Sequence, residues 1–308
     1  MITEIPTAED FRRAGLNQLY LAWQIIMRTT REFEELEGLA DHMDDQERAE
    51  AQSQYWTSAQ PVLANALGLI QQSMEMAIKG KIAGVSPYLL ISRDPKDWPK
   101  RSDRVDVPFS EFRSVDAADL VKVHNTFVEI SFDDEFQRFW EKVRRDRNKV
   151  MHSVARLTFE PGVIIKHILF AAYSLYGDRP WPTHICEFDD SGVYTIYGVD
   201  EGWNRNGLME QVERALGYLT PSEAYRLLAF KKQQRAYVCP PCYENSNRDA
   251  ADHWPALAQL RSREATETIL HCVVCNEHTV VERKRCRKPG CCGNVIGLGM
   301  CLTCLAED

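Results

Sequence analysis

Arg144-Arg145-Asp146-Arg147-Asn148-Lys149-Val150-Met151-His152 closes a run that begins near Phe132 and reads as an amphipathic helix. Phe136, Phe139, Trp140, Val143, Val150 and Val154 recur at helical spacing and define one apolar face. Arg147 falls within that face. A guanidinium stays charged and is costly to bury unpaired, so a helix serving only the core would not place one there. Asn148 and His152 stand four apart and share a polar face, where the amide can orient the imidazole. Arg147 and His152 stand five apart and point well away from each other on an ideal helix. Either the helix breaks between them, or the pair is completed by another helix or another subunit.

The flanking chain is ordered as a helical bundle. Thr7-Ala8-Glu9-Asp10 has the form of a helix start, and the helix it opens carries Phe11, Leu16, Leu19, Trp23 and Ile26 to about Leu36. The acidic stretch from Asp41 to Gln54 reads as a solvated helix face. A new helix is expected around Pro61, with Leu63, Leu67, Ile70, Met74 and Ile78 as its packing face. Glu75 lies close to that face and is a candidate partner for Arg147, with a surface pair to Lys79 as the plainer alternative. From Val85 to Val115, Ser86-Pro87, Asp94-Pro95, Trp98-Pro99 and Val107-Pro108 punctuate a long loop, which either walls a cleft or packs Trp98 and Phe109 on the surface. A short helix spans Asp116 to Phe127, where His124 is either structural or a second imidazole for a site. Val163 to Tyr176 forms the last strong helix of this half, and Gly177 to Pro182 ends it. The fold class is therefore mainly α, with a helical bundle over 1–178.

The Arg-Asn-x-x-x-His string, following an aromatic-rich helix and preceding an apolar one, resembles the signature of HEPN domains, helical modules many of which are metal-independent ribonucleases. The Glu75-Met76-Ala77-Ile78-Lys79-Gly80 run and the Asp119-Leu120 helix start with His124-Asn125 fit the same resemblance, which covers about the first half of the chain. It implies catalysis by Arg147, Asn148 and His152 at a two-fold homodimer interface where both strings face one cleft. It also implies a setting in which many such enzymes are toxins or effectors of antiphage defence.

At 308 residues the chain has room for more than one core, and 44% hydrophobic with 27% charged residues is ordinary for a soluble protein. A net charge of -8 argues against a protein that coats nucleic acid nonspecifically, so RNA contact must rest on a local basic patch. The start, Met1-Ile2-Thr3-Glu4-Ile5, lacks the pattern of a signal peptide, and no stretch is apolar for long enough to span a bilayer. A soluble, cytoplasmic protein without membrane partners is expected.

Residues 179–236 read as a connecting α+β segment. Gly192 to Tyr197 alternates as a strand does, and two helices follow, Asn206 to Tyr218 and Ser222 to Lys232.

None of the 10 cysteines precedes Cys186, and the other nine lie between Cys239 and Cys304. Clustered Cys-x-x-Cys pairs read as metal ligands rather than a disulfide framework. Cys239 and Cys242, with Cys272 and Cys275, form two knuckles suited to one tetrahedral ion. Cys286, Cys301 and Cys304 with one of the adjacent Cys291 and Cys292 form a second set. The region 237–308 is thus a zinc-ribbon-like domain with two structural zinc ions, in which the two sets either follow in order or interleave. His271 and His278 flank the second knuckle as alternative ligands. Closed four-sulfur sites leave no open position for water, so nothing here is catalytic. Arg283-Lys284-Arg285 with Arg287-Lys288 either offsets the charge of the thiolates or contacts a partner.

Two functions follow. One is a metal-independent RNA endonuclease: His152 transfers protons, Arg147 holds the phosphate through its bidentate fork, Asn148 orients the imidazole or contacts the phosphate, and Arg144 and Arg145 bind flanking phosphates of the RNA substrate. The zinc-bearing end then senses or docks, open to an inhibitory or activating partner. The other is a noncatalytic dimerisation or ligand-binding scaffold with a zinc-ribbon interaction module. A pure scaffold has no chemical need of Arg147, Asn148 and His152 together.

Overall fold

The computed structural model describes the chain except residues 93, 95, 97, 100–105, 153–157, 191–197, 199–201, 250, 252 and 308, and the side chains of Met151, His152 and Asp190. Contacts divide the chain into Met1–Tyr176 and Gly177–Asp308.

The first unit is a helical bundle built on one long helix. A short strand β1 (Ile2–Thr3) precedes α1 (Ala8–Gly38), which starts with a capping box: Thr7 Oγ1 accepts from the Asp10 N–H, and the Asp10 carboxylate accepts from the Thr7 N–H. α2 (Asp45–Val85) opens the same way on Asp44 and Glu47. It runs unbroken through Pro61, where the sequence suggests a new helix. Pro61 and Thr57 are both exposed, so the Thr57 carbonyl that loses its helical partner faces water. The buried row Leu63, Leu67, Ile70, Met74 and Ile78 anchors the helix from just after that defect, and Ala59 is buried just before it.

α1, α3 (Leu120–Phe127), α4 (Asp134–His152) and α5 (Pro161–Leu175) all pack on α2. Gly15 is required where α1 crosses α2: a Cβ there would come within 2.9 Å of the Ser73 carbonyl oxygen. The Tyr176 hydroxyl, at the end of α5, donates to that carbonyl at 3.2 Å. The irregular stretch between α2 and α3 carries β2 (Val107–Pro108), parallel to β1, and buries Phe109 but leaves Trp98 exposed, its Nε1 donating to the Ser92 carbonyl at 2.7 Å.

The second unit begins with α6 (Trp181–Asp190), a helix where the sequence suggests only a boundary, followed by α7 (Trp203–Tyr218) and α8 (Pro221–Leu228). The expected strand over Gly192–Tyr197 lies outside the described residues. Gly202 caps α7 at φ 82°, and a Cβ there would stand 2.3 Å from the Asn247 nitrogen. After α9 (Pro240–Glu244) come β3 (Ala258–Leu260), β4 (Ile269–Cys272) and β5 (His278–Val280) in one antiparallel sheet, then the hairpin β6 (Ile296–Gly297) with β7 (Met300–Cys301). The segment 179–236 therefore shares a unit with the cysteine-rich end: Thr183 Oγ1 donates to the Val274 carbonyl at 3.4 Å, and Asn206 Nδ2 to the Asn247 carbonyl at 2.8 Å. Among the described residues no helix is long and apolar enough to cross a membrane.

Candidate metal centres and the Arg-Asn-His helix

α4 is continuous from Asp134 to His152, which removes a helix break between Arg147 and His152. Its start is fixed by Asp133, whose carboxylate accepts the Phe136 N–H at 2.7 Å. Phe136, Trp140 and Val143 are buried, and the next position on that row is Arg147, which is half-buried. The core row thus ends in a cation. Arg147 Nη1 donates to Asn148 Oδ1 at 3.2 Å. Glu75 is not the partner of Arg147: it accepts from Lys79 Nζ at 2.7 Å and from Gln71 Nε2 at 3.2 Å. Arg145 is exposed, and Arg144 is half-buried with an Nε that finds no acceptor among the described residues. The helix carries His152, whose side chain lies outside the described residues. On a regular helix its Cα direction differs from that of Arg147 by about 140°.

His124 is a core residue. It is 1% exposed, stacks on Phe132 with ring centroids 3.9 Å apart, and its Nδ1 meets Asn125 Oδ1 at 3.0 Å. Burial lowers its pKa, with the Asn125 bond opposing and Lys81 adding to the effect. A histidine that the sequence reading missed, His167 of α5, faces α4 with its ring 5.2 Å from Phe139. Burial, reinforced by Lys142 and opposed by Asp146, takes its pKa down to about 4. The signal was a polar residue inside the run Ile164-Ile165-Lys166-His167-Ile168.

The cysteines assemble into two groups that follow in sequence order: Cys239, Cys242, Cys272 and Cys275, then Cys286, Cys291, Cys301 and Cys304. In each group the four sulfurs lie within 4.8 Å of one another. The Cys239–Cys275 and Cys242–Cys272 sulfurs are 3.7 and 3.8 Å apart, and those of Cys286–Cys304 and Cys291–Cys301 are 3.7 and 3.9 Å apart. Four thiolates bound tetrahedrally at about 2.3 Å from one ion would stand about 3.8 Å apart, so the donor sets fit a metal ion of that size. Backbone N–H groups point at the sulfurs as well: Val274 at Cys272 (3.3 Å), Lys288 at Cys286 (3.4 Å) and Gly293 at Cys291 (3.2 Å). Each knuckle turns tightly enough to present its amides to its own ligand.

Protons in such a cluster are shared unevenly. Burial pushes the Cys272 thiol well up, with its neighbouring thiols adding to the shift. At the second group the Lys288 amide opposes the shift, yet desolvation and the neighbouring thiols raise Cys286 to about 12. Burial also acts to raise Cys301, but the Thr303 and Cys304 amides outweigh it and hold the thiol at about 7. Four crowded sulfurs cannot all ionise without a cation among them, and a divalent ion supplies that charge.

Cys291, not Cys292, belongs to the second group. Cys292 is exposed, with its sulfur 3.6 Å from Arg235 Nη2 while Arg235 Nη1 donates to its carbonyl at 2.9 Å. His271 and His278 stand outside both groups: His271 Nε2 meets Asn276 Oδ1 at 2.9 Å, and the two imidazoles lie against each other at 4.7 Å. All ten cysteines are free of disulfides. Of the basic run, Arg285, Arg287 and Lys288 are exposed and Arg283 and Lys284 half-buried. No family model, curated protein or solved structure matches this chain.

Proposed function

We propose that the chain is a cytoplasmic, metal-independent RNA endonuclease that acts as a homodimer, carries two structural zinc ions at its C-terminal end, and serves as a toxin or antiphage effector. The observation that carries the nuclease reading is the continuity of α4. One unbroken helix presents Arg147 and Asn148 hydrogen-bonded together where the buried row ends, and sets the Cα of His152 on a different face of that helix. One chain cannot close such a site on itself, whereas two copies facing each other across a two-fold axis, as in the HEPN ribonucleases that the motif resembles, bring both sets to one phosphodiester.

In this reading His152 takes the proton from the RNA 2'-hydroxyl, and the 2'-oxygen attacks the adjacent phosphorus. The bond to the 5'-oxygen breaks, and the imidazole of the second copy protonates the leaving oxygen. Arg147 neutralises charge gathering on the non-bridging oxygens. Asn148 holds the Arg147 guanidinium in place, and Arg144 and Arg145 take flanking phosphates. The products carry 2',3'-cyclic phosphate and 5'-hydroxyl ends. Zinc is the ion of choice for both cysteine groups because four thiolates at tetrahedral spacing match its coordination habit. Those sites are closed, so the metal-bearing end holds structure and offers a docking surface for an inhibitory or activating partner.

The test is cleavage of a mixed RNA pool in magnesium-free buffer, with EDTA added immediately before the RNA. His152→Ala and Arg147→Ala, checked for folding by circular dichroism, are each expected to lose about 100-fold or more in rate. Cleavage that survives in both variants, or a folded wild-type protein that leaves every RNA intact, overturns the reading.

A further inference from the structure

Beside the first cysteine group, the second unit contains a cavity of about 230 Å³ floored by the sheet and walled by the turn after α8. Its floor is a cross-strand row: Gln259 of β3 pairs with His271 of β4, which pairs with His278 of β5. Gln259 is spent on the frame, accepting from the Lys231 N–H and donating to the Lys231 and Gln234 carbonyls, which fixes the wall to the floor. Gln234 likewise donates its amide to the Leu260 carbonyl, and His271 Nε2 is held by Asn276 Oδ1. Lys231 Nζ lies 5.9 Å from the centre of the Tyr225 ring, which is 58% exposed; Arg261 stands on the rim; and the two imidazoles form the far side. In a chain of net charge -8, no lining residue among the described ones is an aspartate or glutamate.

We infer that this cavity binds a single phosphate-bearing nucleotide, either free or as the phosphorylated terminus of an RNA strand. Lys231 and Arg261 supply the charge that a phosphate requires, and the His278 imidazole adds a directed hydrogen-bonding group, His271 being held by Asn276. Arg261 keeps a loose pair with Glu267, Nε to Oε2 3.8 Å, which holds its guanidinium at the rim. The exposed Tyr225 ring offers the flat face on which a base stacks, with no preference among bases. At about 230 Å³ the cavity lies below the roughly 300–1,000 Å³ of sites that enclose a whole small molecule, so it takes the phosphate end while the base lies outside on Tyr225, and a folded partner does not fit. None of these residues belongs to α4, so the inference stands apart from the nuclease reading.

Calorimetric titration of the full-length, metal-loaded protein with AMP and UMP is expected to show saturable binding, with inorganic phosphate and adenosine each binding more weakly. Lys231→Glu and Tyr225→Ala alter exposed side chains and are each expected to weaken the mononucleotides at least about tenfold. Only the first should also weaken inorganic phosphate. A short RNA with and without a 5'-phosphate, in the His152→Ala background, separates the two sources. Competition only by the phosphorylated strand assigns the site to an RNA end, and failure of both strands to compete assigns it to free nucleotide. Absence of saturable mononucleotide binding at millimolar concentration, phosphate binding as tightly as AMP, or affinities unmoved by both variants overturns the inference.

Discussion

Arg147 and His167 show how a polar side chain on an apolar row acquires meaning from its neighbours. Arg147 continues the line of Phe136, Trp140 and Val143 but surfaces halfway, bonded to Asn148. His167 is also half-buried, but its ring packs against Phe139 with Nδ1 shut off from solvent, and burial disfavours its charged form. Its folded pKa near 4 lies below the unfolded value of about 6.5, so the unfolded state takes up its proton first as pH falls. The helical unit therefore keeps the full contribution above about pH 6.5 and loses it progressively as pH falls towards 4. The loss is on the order of 3 kcal/mol. Urea unfolding at pH 7.5 and pH 5 should display the decline, and His167→Leu should flatten it. Cys291 and Cys292 make a second contrast between adjacent identical residues. Cys291→Ser should abolish one bound ion per chain by native mass spectrometry, while Cys292→Ser should keep both.

At the scale of elements, the helix ends were readable because their chemistry is local. The capping box at Thr7 needs only Asp10 three residues on, and the box at Asp44 needs only Glu47. Pro61 misled for the same reason. A proline is a local breaker, but α2 is anchored by a buried row that begins two residues beyond it, Ala59 is buried just before it, and the Thr57 carbonyl reaches water. Pro61→Ala should raise stability by about 1 kcal/mol or more, measured as an increased urea midpoint with unchanged slope. An unchanged or lowered midpoint would show that the proline is accommodated without cost. α6 escaped the sequence reading because Trp181-Pro182 resembles loop punctuation, although a proline in the first turn of a helix costs no hydrogen bond.

At the scale of the molecule, the two units rest on different physics. Met1–Tyr176 buries a continuous apolar core around α2, whereas the short strands of Gly177–Asp308 are organised around two cysteine groups. Chelation should therefore act on one unit only. Prolonged treatment with a strong chelator is expected to open 237–308 to proteolysis while a helical fragment close to Met1–Tyr176 survives, as limited digestion and circular dichroism would record. Loss of both units together would show that the bundle depends on the metal-bearing end. From its own periodicities and spacings the sequence determined that the first half is helical, that Arg147 interrupts an apolar stripe, and that the thiols near the C-terminus pair into sets able to hold a metal ion, because these properties depend on residues within a few turns of one another. Tertiary structure alone decided that α4 runs unbroken to His152, that Glu75 serves Lys79, that the cysteine groups follow in order with Cys291 inside and Cys292 outside, and that Tyr225, Lys231, Arg261, His271 and His278 border one cavity. Those outcomes depend on which distant segments approach within a few ångströms, a question settled by packing the chain as a whole.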